Sequence, residues 1–288
     1  MRVTFFGVRG SVPTPGPGTV RYGGNTSCVE ARLADGTVLI LDAGTGIREC
    51  GKRLVADGLV EGPFHVLISH AHWDHIIGLP FFAPIYDSEA TLVLHPLAME
   101  TPSHVLAHDE LFDGLHFPLR LHQLPARLQR PLPIDGDWMI GSARVRRIQL
   151  NHPGGSTGFR VDDEDGASLV LLTDNELQPP GARAVTTSEL ARFARGADLL
   201  IHDSQYLDED MPKKRGWGHS TVSQVCELGH AAEVRRLALY HHEPERDDDA
   251  LDQIYLDARR WWLERGCAGE LFMAREGLSL ELGPSATK

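Results

Sequence analysis

Residues 69 to 75 read Ser69-His70-Ala71-His72-Trp73-Asp74-His75, and the fold is decided there. Imidazole and carboxylate are ligands for zinc-type cations, and four of these seven side chains are of those two types. The apolar run His65-Val-Leu-Ile-Ser69 ahead of them predicts a buried strand, and Ile76-Ile-Gly-Leu-Pro80 behind them predicts the next turn or helix. The cluster therefore sits at a strand's end. Alternate side chains of an extended segment share a side, so His70 and His72 point together, while the turn that follows aims Asp74 and His75 at a second point nearby. One short loop can serve two cations. The chain has 15 histidines, but chance histidines on a polar surface loop give no cause for this cluster.

His-X-His-X-Asp-His behind a hydrophobic strand resembles the signature of the metallo-β-lactamase superfamily, whose members are mostly metal-dependent hydrolases. The resemblance implies an α/β fold, a four-layer αβ/βα sandwich of two similar halves, in which two mixed sheets are flanked by helices and the metals lie at one edge between the sheets. It also implies later ligands, found in family order in Gln149-Leu-Asn-His152, Leu169-Val-Leu-Leu-Thr-Asp174 and Leu237-Ala-Leu-Tyr-His241. By that resemblance His70, His72 and His152 hold a first metal, Asp74, His75 and His241 a second, and Asp174 bridges both. The two divalent ions are expected to be zinc, with manganese or iron as alternatives. His242 stands beside His241, and alternation lets only one of them face the metals. His241 occupies the family's ligand place, and a one-residue shift would exchange the two.

Composition fits this reading. A chain of 288 residues, 42% hydrophobic, can bury a sizeable core as one domain, 1–288, and no linker, repeat or low-complexity tract divides it. The Pro13-Thr-Pro-Gly-Pro-Gly18 stretch predicts an irregular N-terminal loop. No stretch has about 18 continuous apolar residues and none reads as an export signal, so a cytoplasmic protein without a membrane partner is expected. Cys28, Cys50, Cys226 and Cys267 are scattered with no C-X-X-C pair, as reduced structural thiols would be. A net charge of −12 argues against a large nucleic-acid footprint. The one concentrated basic run is Lys213-Lys-Arg215, just ahead of Gly216-Trp-Gly-His219.

After His219, Thr221 and Gln224 fit a capping box that opens a helix, with Val222, Val225, Cys226 and Ala232 as its buried stripe. Free N–H groups at such an entrance attract anions, so a phosphate could approach there and at the basic run. Gly218-His-Ser-Thr221 resembles the His-Ser-Thr segment of the ribonuclease Z branch. That resemblance implies that His219 assists phosphodiester cleavage by protonating the leaving oxygen or steadying the transition state. Gly196-Ala-Asp-Leu-Leu-Ile-His-Asp-Ser-Gln-Tyr206 resembles the segment whose acid pairs with that histidine, which gives Asp203 here where the branch generally has glutamate. Hydrogen bonding from Asp203 to a metal ligand is the competing role, and His202 is expected to face the core. Asp74 counts among both the metal ligands and the catalytic residues. Near the N-terminus the glycine-rich opening of the same branch places Asn25, Thr26 and Ser27 near the pocket. Asp42, after the Val38-Leu-Ile-Leu run, is expected beneath the histidine loop, supporting it, with no nucleotide cofactor.

The span from about 81 to 133 is read as an insert roofing the metal site, with Phe81, Phe82, Tyr86, Phe112 and Phe117 either stacking on a base or filling the core. His95, His104, His108, His116 and His122 lack ligand spacing. Between Ala98 and Leu132 there are three arginines and no lysine, too few for the basic arm with which transfer-RNA-processing relatives grip RNA. The expected function is therefore a dinuclear phosphodiesterase for a small phosphodiester, a cyclic nucleotide or short oligonucleotide, attacked by a metal-bridging hydroxide. Related phosphodiesterases suggest a homodimer. The alternatives are a carboxyl-ester, thioester or lactone hydrolase of the same fold, or a non-catalytic metal-binding accessory protein. A flavodiiron-type oxidoreductase, the remaining alternative, would append a flavin domain, which is not expected here.

Overall fold

A computed structural model describes residues 1–96, 107–132 and 136–283. Two seven-stranded sheets carry the architecture. The first half supplies β1 (Arg2–Gly7), β2 (Cys28–Arg32), β3 (Val38–Leu41), β4 (Phe64–Leu67), β5 (Thr91–Leu94) and β6 (Arg127–Gln129). The second supplies β7 (Trp138–Ile140), β8 (Ala143–Leu150), β9 (Ser156–Asp162), β10 (Ser168–Leu172), β11 (Leu199–Asp203), β12 (Arg236–Tyr240) and β13 (Glu270–Met273), and β14 (Ser279–Glu281) returns to the first sheet. The orders are β14-β1-β2-β3-β4-β5-β6 and β13-β12-β11-β10-β9-β8-β7. Each sheet is antiparallel at one end, through β3 in one and through β10 in the other, and parallel from there on. The two similar halves and the αβ/βα sandwich are thus present.

Strands buried on both faces read as continuous apolar runs. In β3, Leu39 and Leu41 face the core between the sheets, while Val38 and Ile40 face the helix layer of the first half. The same alternation in β10 sends Leu169 and Leu171 inward and Val170 and Leu172 toward the second helix layer. Helix α1 (Ile47–Ala56) buries Ile47, Cys50 and Leu54 at helical spacing. Helix α2 (Thr187–Ala194) opens on a Thr186–Glu189 capping box, and α3 (Val222–Ala231) on the expected Thr221–Gln224 box. Val222, Val225, Cys226 and Ala232 are all buried, and α4 (Asp248–Glu264) packs beside them. All four cysteines are free thiols.

Two expectations change. Residues 81–133 are not only a cover, because β5 and β6 within that span extend the first sheet by parallel pairing. Phe82 and Phe112 are buried and Phe117 packs against them, whereas Phe81 and Tyr86 are exposed. Part of that span, 97–106 with His104, and Pro133, lie outside the described residues, as does the side chain of His108. The Pro13–Gly18 stretch is irregular as expected and leads into a 3-10 turn at Pro17–Thr19. Among the described residues no helix is long and apolar enough to cross a membrane.

Candidate metal centre

The ends of β4, β8, β10 and β12 converge at one edge of the sandwich. The cluster starts two residues past β4, and Trp73–Ile76 form one helical turn rather than loop, which rotates Asp74 and His75 away from His70 and His72. Asp174 lies two residues past β10 and His152 two past β8, and His241 immediately follows β12. His70, His72, His152 and Asp174 form one group of potential ligands, and Asp74, His75, Asp174 and His241 a second; in each, one donor atom per residue lies within 4.8 Å of the others. Asp174 belongs to both. Its Oδ2 is 3.6 Å from His70 Nε2 and 3.8 Å from His152 Nε2, while its Oδ1 is 3.0 Å from His75 Nε2 and 3.2 Å from His241 Nε2. Asp74 Oδ2 is 3.2 Å from both His75 Nε2 and His241 Nε2. Among the buried side-chain atoms with no hydrogen-bond partner are His70 Nε2 and His75 Nε2. Orphaned nitrogens at the centre of such a donor set fit a cation.

The outward ring nitrogens are held in place by the protein. His75 Nδ1 donates to Asp42 at 2.8 Å, His152 Nδ1 to the Gly218 carbonyl at 3.0 Å, and His241 Nδ1 to Gln205 Oε1 at 3.0 Å. His70 Nδ1 lies 3.1 Å from Ser69 Oγ. Partners of this kind fix the tautomer that presents Nε2 inward. Asp42 also accepts from Ser69 N and Ser27 Oγ, so it braces the histidine loop from below as the sequence suggested. Backbone must come close here, because a Cβ at Gly218 would lie 2.2 Å from His152 Nδ1 and one at Gly10 2.5 Å from His241 Nδ1.

Charge is concentrated in this pocket. Burial by itself disfavours a proton on His75, yet Asp174, Asp74 and Asp42 outweigh it and hold its pKa well above the ordinary value. Burial would raise Asp174, and His241, His75 and His70 instead push it well below; Asp74 is also driven down, against burial, chiefly by His75. Carboxylates gathered this closely call for positive charge between them, as a bound cation would supply.

His219 sits just ahead of α3 with its ring centroid 5.4 Å from that of His152 and 5.1 Å from that of His241. Its Nδ1 donates to Asp203 Oδ2 at 2.9 Å. The shorter side chain of aspartate reaches it because both strand end and helix entrance are drawn close. Asp203 Oδ1 is 3.9 Å from His241 Nδ1, so the competing contact to a ligand is the longer one. Burial lowers the His219 pKa, but the charge and hydrogen bond of Asp203 overcome it and push it up to about 9. His202 is buried and bonded to the Asp203 carbonyl, and His242 bonds the Ala274 carbonyl away from the cluster.

Three sequence expectations are corrected. Thr26 and Ser27 are fully buried and do not line a pocket: Thr26 bonds Thr45 and Ser27 bonds Asp42 and Tyr240, while Asn25 is held by Glu276. The entrance of α3 is not an open anion site, because Val222 N donates to the Tyr206 carbonyl and Gln224 N to Thr221 Oγ1. Lys213 and Arg215 point outward, and only Lys214 turns toward the centre. Sequence reading missed Gln205, Ser69 and the Ser11 N–H that donates to Asp74 at 2.7 Å. A neutral amide, a hydroxyl and a backbone donor carry no ligand pattern to betray them.

The family described as "Beta-lactamase superfamily domain" matches residues 37–242. The chain is similar to ribonuclease Z of Haloarcula marismortui, 24% identical over 96% of this chain and 96% of that protein. Its fold is similar to that of the metallo-beta-lactamase fold protein YhfI from Bacillus subtilis, with TM-score 0.68 and 20% identity over 97% of this chain and 98% of that one. It is also similar to that of the short form of human tRNase Z, with TM-score 0.63 and 21% identity over 98% and 99%.

Proposed function

The chain belongs to the beta-lactamase superfamily, and from that premise we propose that this metal-dependent hydrolase is a phosphodiesterase with two divalent ions, acting on a small phosphodiester such as a cyclic nucleotide or short oligonucleotide. His70, His72 and His152 would hold one ion and Asp74, His75 and His241 the other, with one oxygen of Asp174 turned to each. When bound, such a pair supplies a nucleophile near neutral pH and neutralises charge on phosphoryl oxygens. Imidazole and carboxylate donors favour zinc.

The observation that carries the reading is the His219–Asp203 pair beside both ligand groups. Asp203 accepts from Nδ1, fixing the ring and leaving Nε2 to hand a proton to the departing alcohol oxygen. With its pKa raised to about 9, His219 holds that proton through neutral pH. Asp203 is itself locked by the N–H groups of Asn175 and Gln205. Ester hydrolysis has less need of such an acid than expulsion of an alkoxide from phosphorus.

A small substrate is supported by the acidic balance of the chain and by the few cations between Ala98 and Leu132. The chain's net charge is −12, and Arg130, one of the three arginines between Ala98 and Leu132, is paired with Asp109 at 2.6 Å. The relatives named ribonuclease Z support phosphodiester chemistry, while the missing basic arm points away from a large RNA. From the 81–133 span, exposed Phe81, six residues after His75, is our candidate for covering the site.

Zinc- or manganese-loaded protein is expected to hydrolyse bis(p-nitrophenyl) phosphate and a cyclic mononucleotide faster than a panel of carboxyl esters and lactones. His219→Ala should lower kcat by about 10²- to 10⁴-fold. A variant as fast as the wild type would remove His219 from the reaction, and preference for the carboxyl esters would favour the other class.

A further inference from the structure

Two exposed tryptophans adjoin the centre: Trp73, 64% exposed inside the histidine cluster itself, and Trp217, which is mounted on the supports of His152 and His241. Trp217 stands between Gly216 and Gly218, both with left-handed backbone at φ +87° and +90°, in the turn that leads into His219. Glu176, 1% exposed, accepts from the N–H groups of Gly216 and Gly218 at 3.0 Å each. The Gly218 carbonyl in turn accepts from His152 Nδ1. A buried carboxylate thus fixes a turn whose tip is an indole 56% exposed.

Lys214 covers part of that indole, its Nζ 4.3 Å from the ring centroid and 5.2 Å from that of Tyr206. Its ammonium is also 3.7 Å from Glu243, which accepts from Gln205, which accepts from His241. The pair is therefore tied to His152 through Trp217 and to His241 through Lys214. Trp217 is two residues from His219 along the chain. Single exposed apolar side chains are ordinary on a protein surface; what marks Trp217 is that a buried carboxylate and an ammonium hold it in place beside the supports of His152 and His241.

We propose that Trp217, backed by Lys214, is the platform on which the nucleobase of the leaving nucleoside stacks, so that the substrate class is a nucleoside phosphodiester. This rests on the phosphodiesterase reading and narrows it. The base lies on the indole face that Lys214 leaves open, which places the ester oxygen of the same nucleoside next to His219, two residues along the chain. The ammonium also offers a charge to the phosphate's outer oxygens. Glu176 acts through the turn and is a positioning residue.

Binding to the zinc-loaded protein separates this from the catalytic reading. Adenosine 5′-monophosphate and methyl phosphate are titrated by calorimetry against wild type, Trp217→Ala and Trp217→Phe, each first checked for an unchanged unfolding midpoint. Trp217→Ala is expected to weaken the nucleotide roughly ten-fold, in the range of one stacked base, and methyl phosphate not at all, while Trp217→Phe keeps most of the affinity. Glu176→Gln should weaken the nucleotide less than Trp217→Ala and shift its tryptophan emission. Equal nucleotide binding by wild type and Trp217→Ala, or equal losses for both ligands, overturns the platform. A wild type that binds the nucleotide through Trp217 yet cleaves no phosphodiester sinks the catalytic reading and leaves the platform standing.

Discussion

Among the described residues, five other than glycine have left-handed backbone, and four of them, Ser11, Asp42, Asp174 and His241, belong to the centre or its supports. Such conformations cost on the order of 1–3 kcal/mol each and persist where surrounding contacts enforce them. They also explain a limit of the sequence reading. Strand alternation could not choose between His241 and His242, because the choice depends on the turn to φ +60° at His241 just as β12 ends. The candidate ligands were legible because their side chains are chemically marked; Gln205, which accepts from His241, was not. Gln205→Ala should therefore weaken metal at the second group by about 10- to 100-fold and leave the first almost unchanged. Equilibrium dialysis against zinc would show two classes of site in place of one.

At the scale of elements, the buried strands were the most legible part, since runs such as Val38-Leu-Ile-Leu41 and Leu169-Val-Leu-Leu172 face apolar layers on both sides. β5 and β6 were hidden inside a span read as cover, because a three- or four-residue strand leaves too little periodicity to find. Next to β4 and β5 lies a histidine pair with a testable consequence. His65 Nδ1 is 3.0 Å from His95 Nε2, and burial, with His65 beside it, brings the His95 pKa down to about 4. A depressed imidazole is neutral in the fold, so its contribution is complete above the unfolded value near 6.5 and is lost as pH falls toward about 4. In metal-free protein, His95→Gln should flatten the fall of the unfolding free energy, measured by urea titration, between those pH values by up to about 2 kcal/mol. An unchanged slope would show that His95 is not strained by its surroundings.

Across the whole molecule the centre joins the halves: His70, His72, Asp74 and His75 come from the first, and His152, Asp174 and His241 from the second. Cations that bind only the folded chain stabilise it by mass action, about 4 kcal/mol at a thousand times Kd. Chelation is accordingly expected to lower the unfolding temperature by roughly 10 °C, reversed by adding zinc. Calorimetry would detect this, and no shift would mean that the site does not couple the two sheets. The repeated sheet pattern was legible only through the family resemblance, since neither half repeats the other in sequence.

The return of β14 to lie against β1 pairs Val3 with Leu280 and Thr4 with Ser279. On a ribosome, that edge of the first sheet must wait until nearly everything between has emerged, including the whole second sheet. Until then β1 offers a bare row of amides and carbonyls to any neighbouring nascent chain. A trigger for misassembly during overproduction is thereby built into the topology, and slower translation over the second half would relieve it.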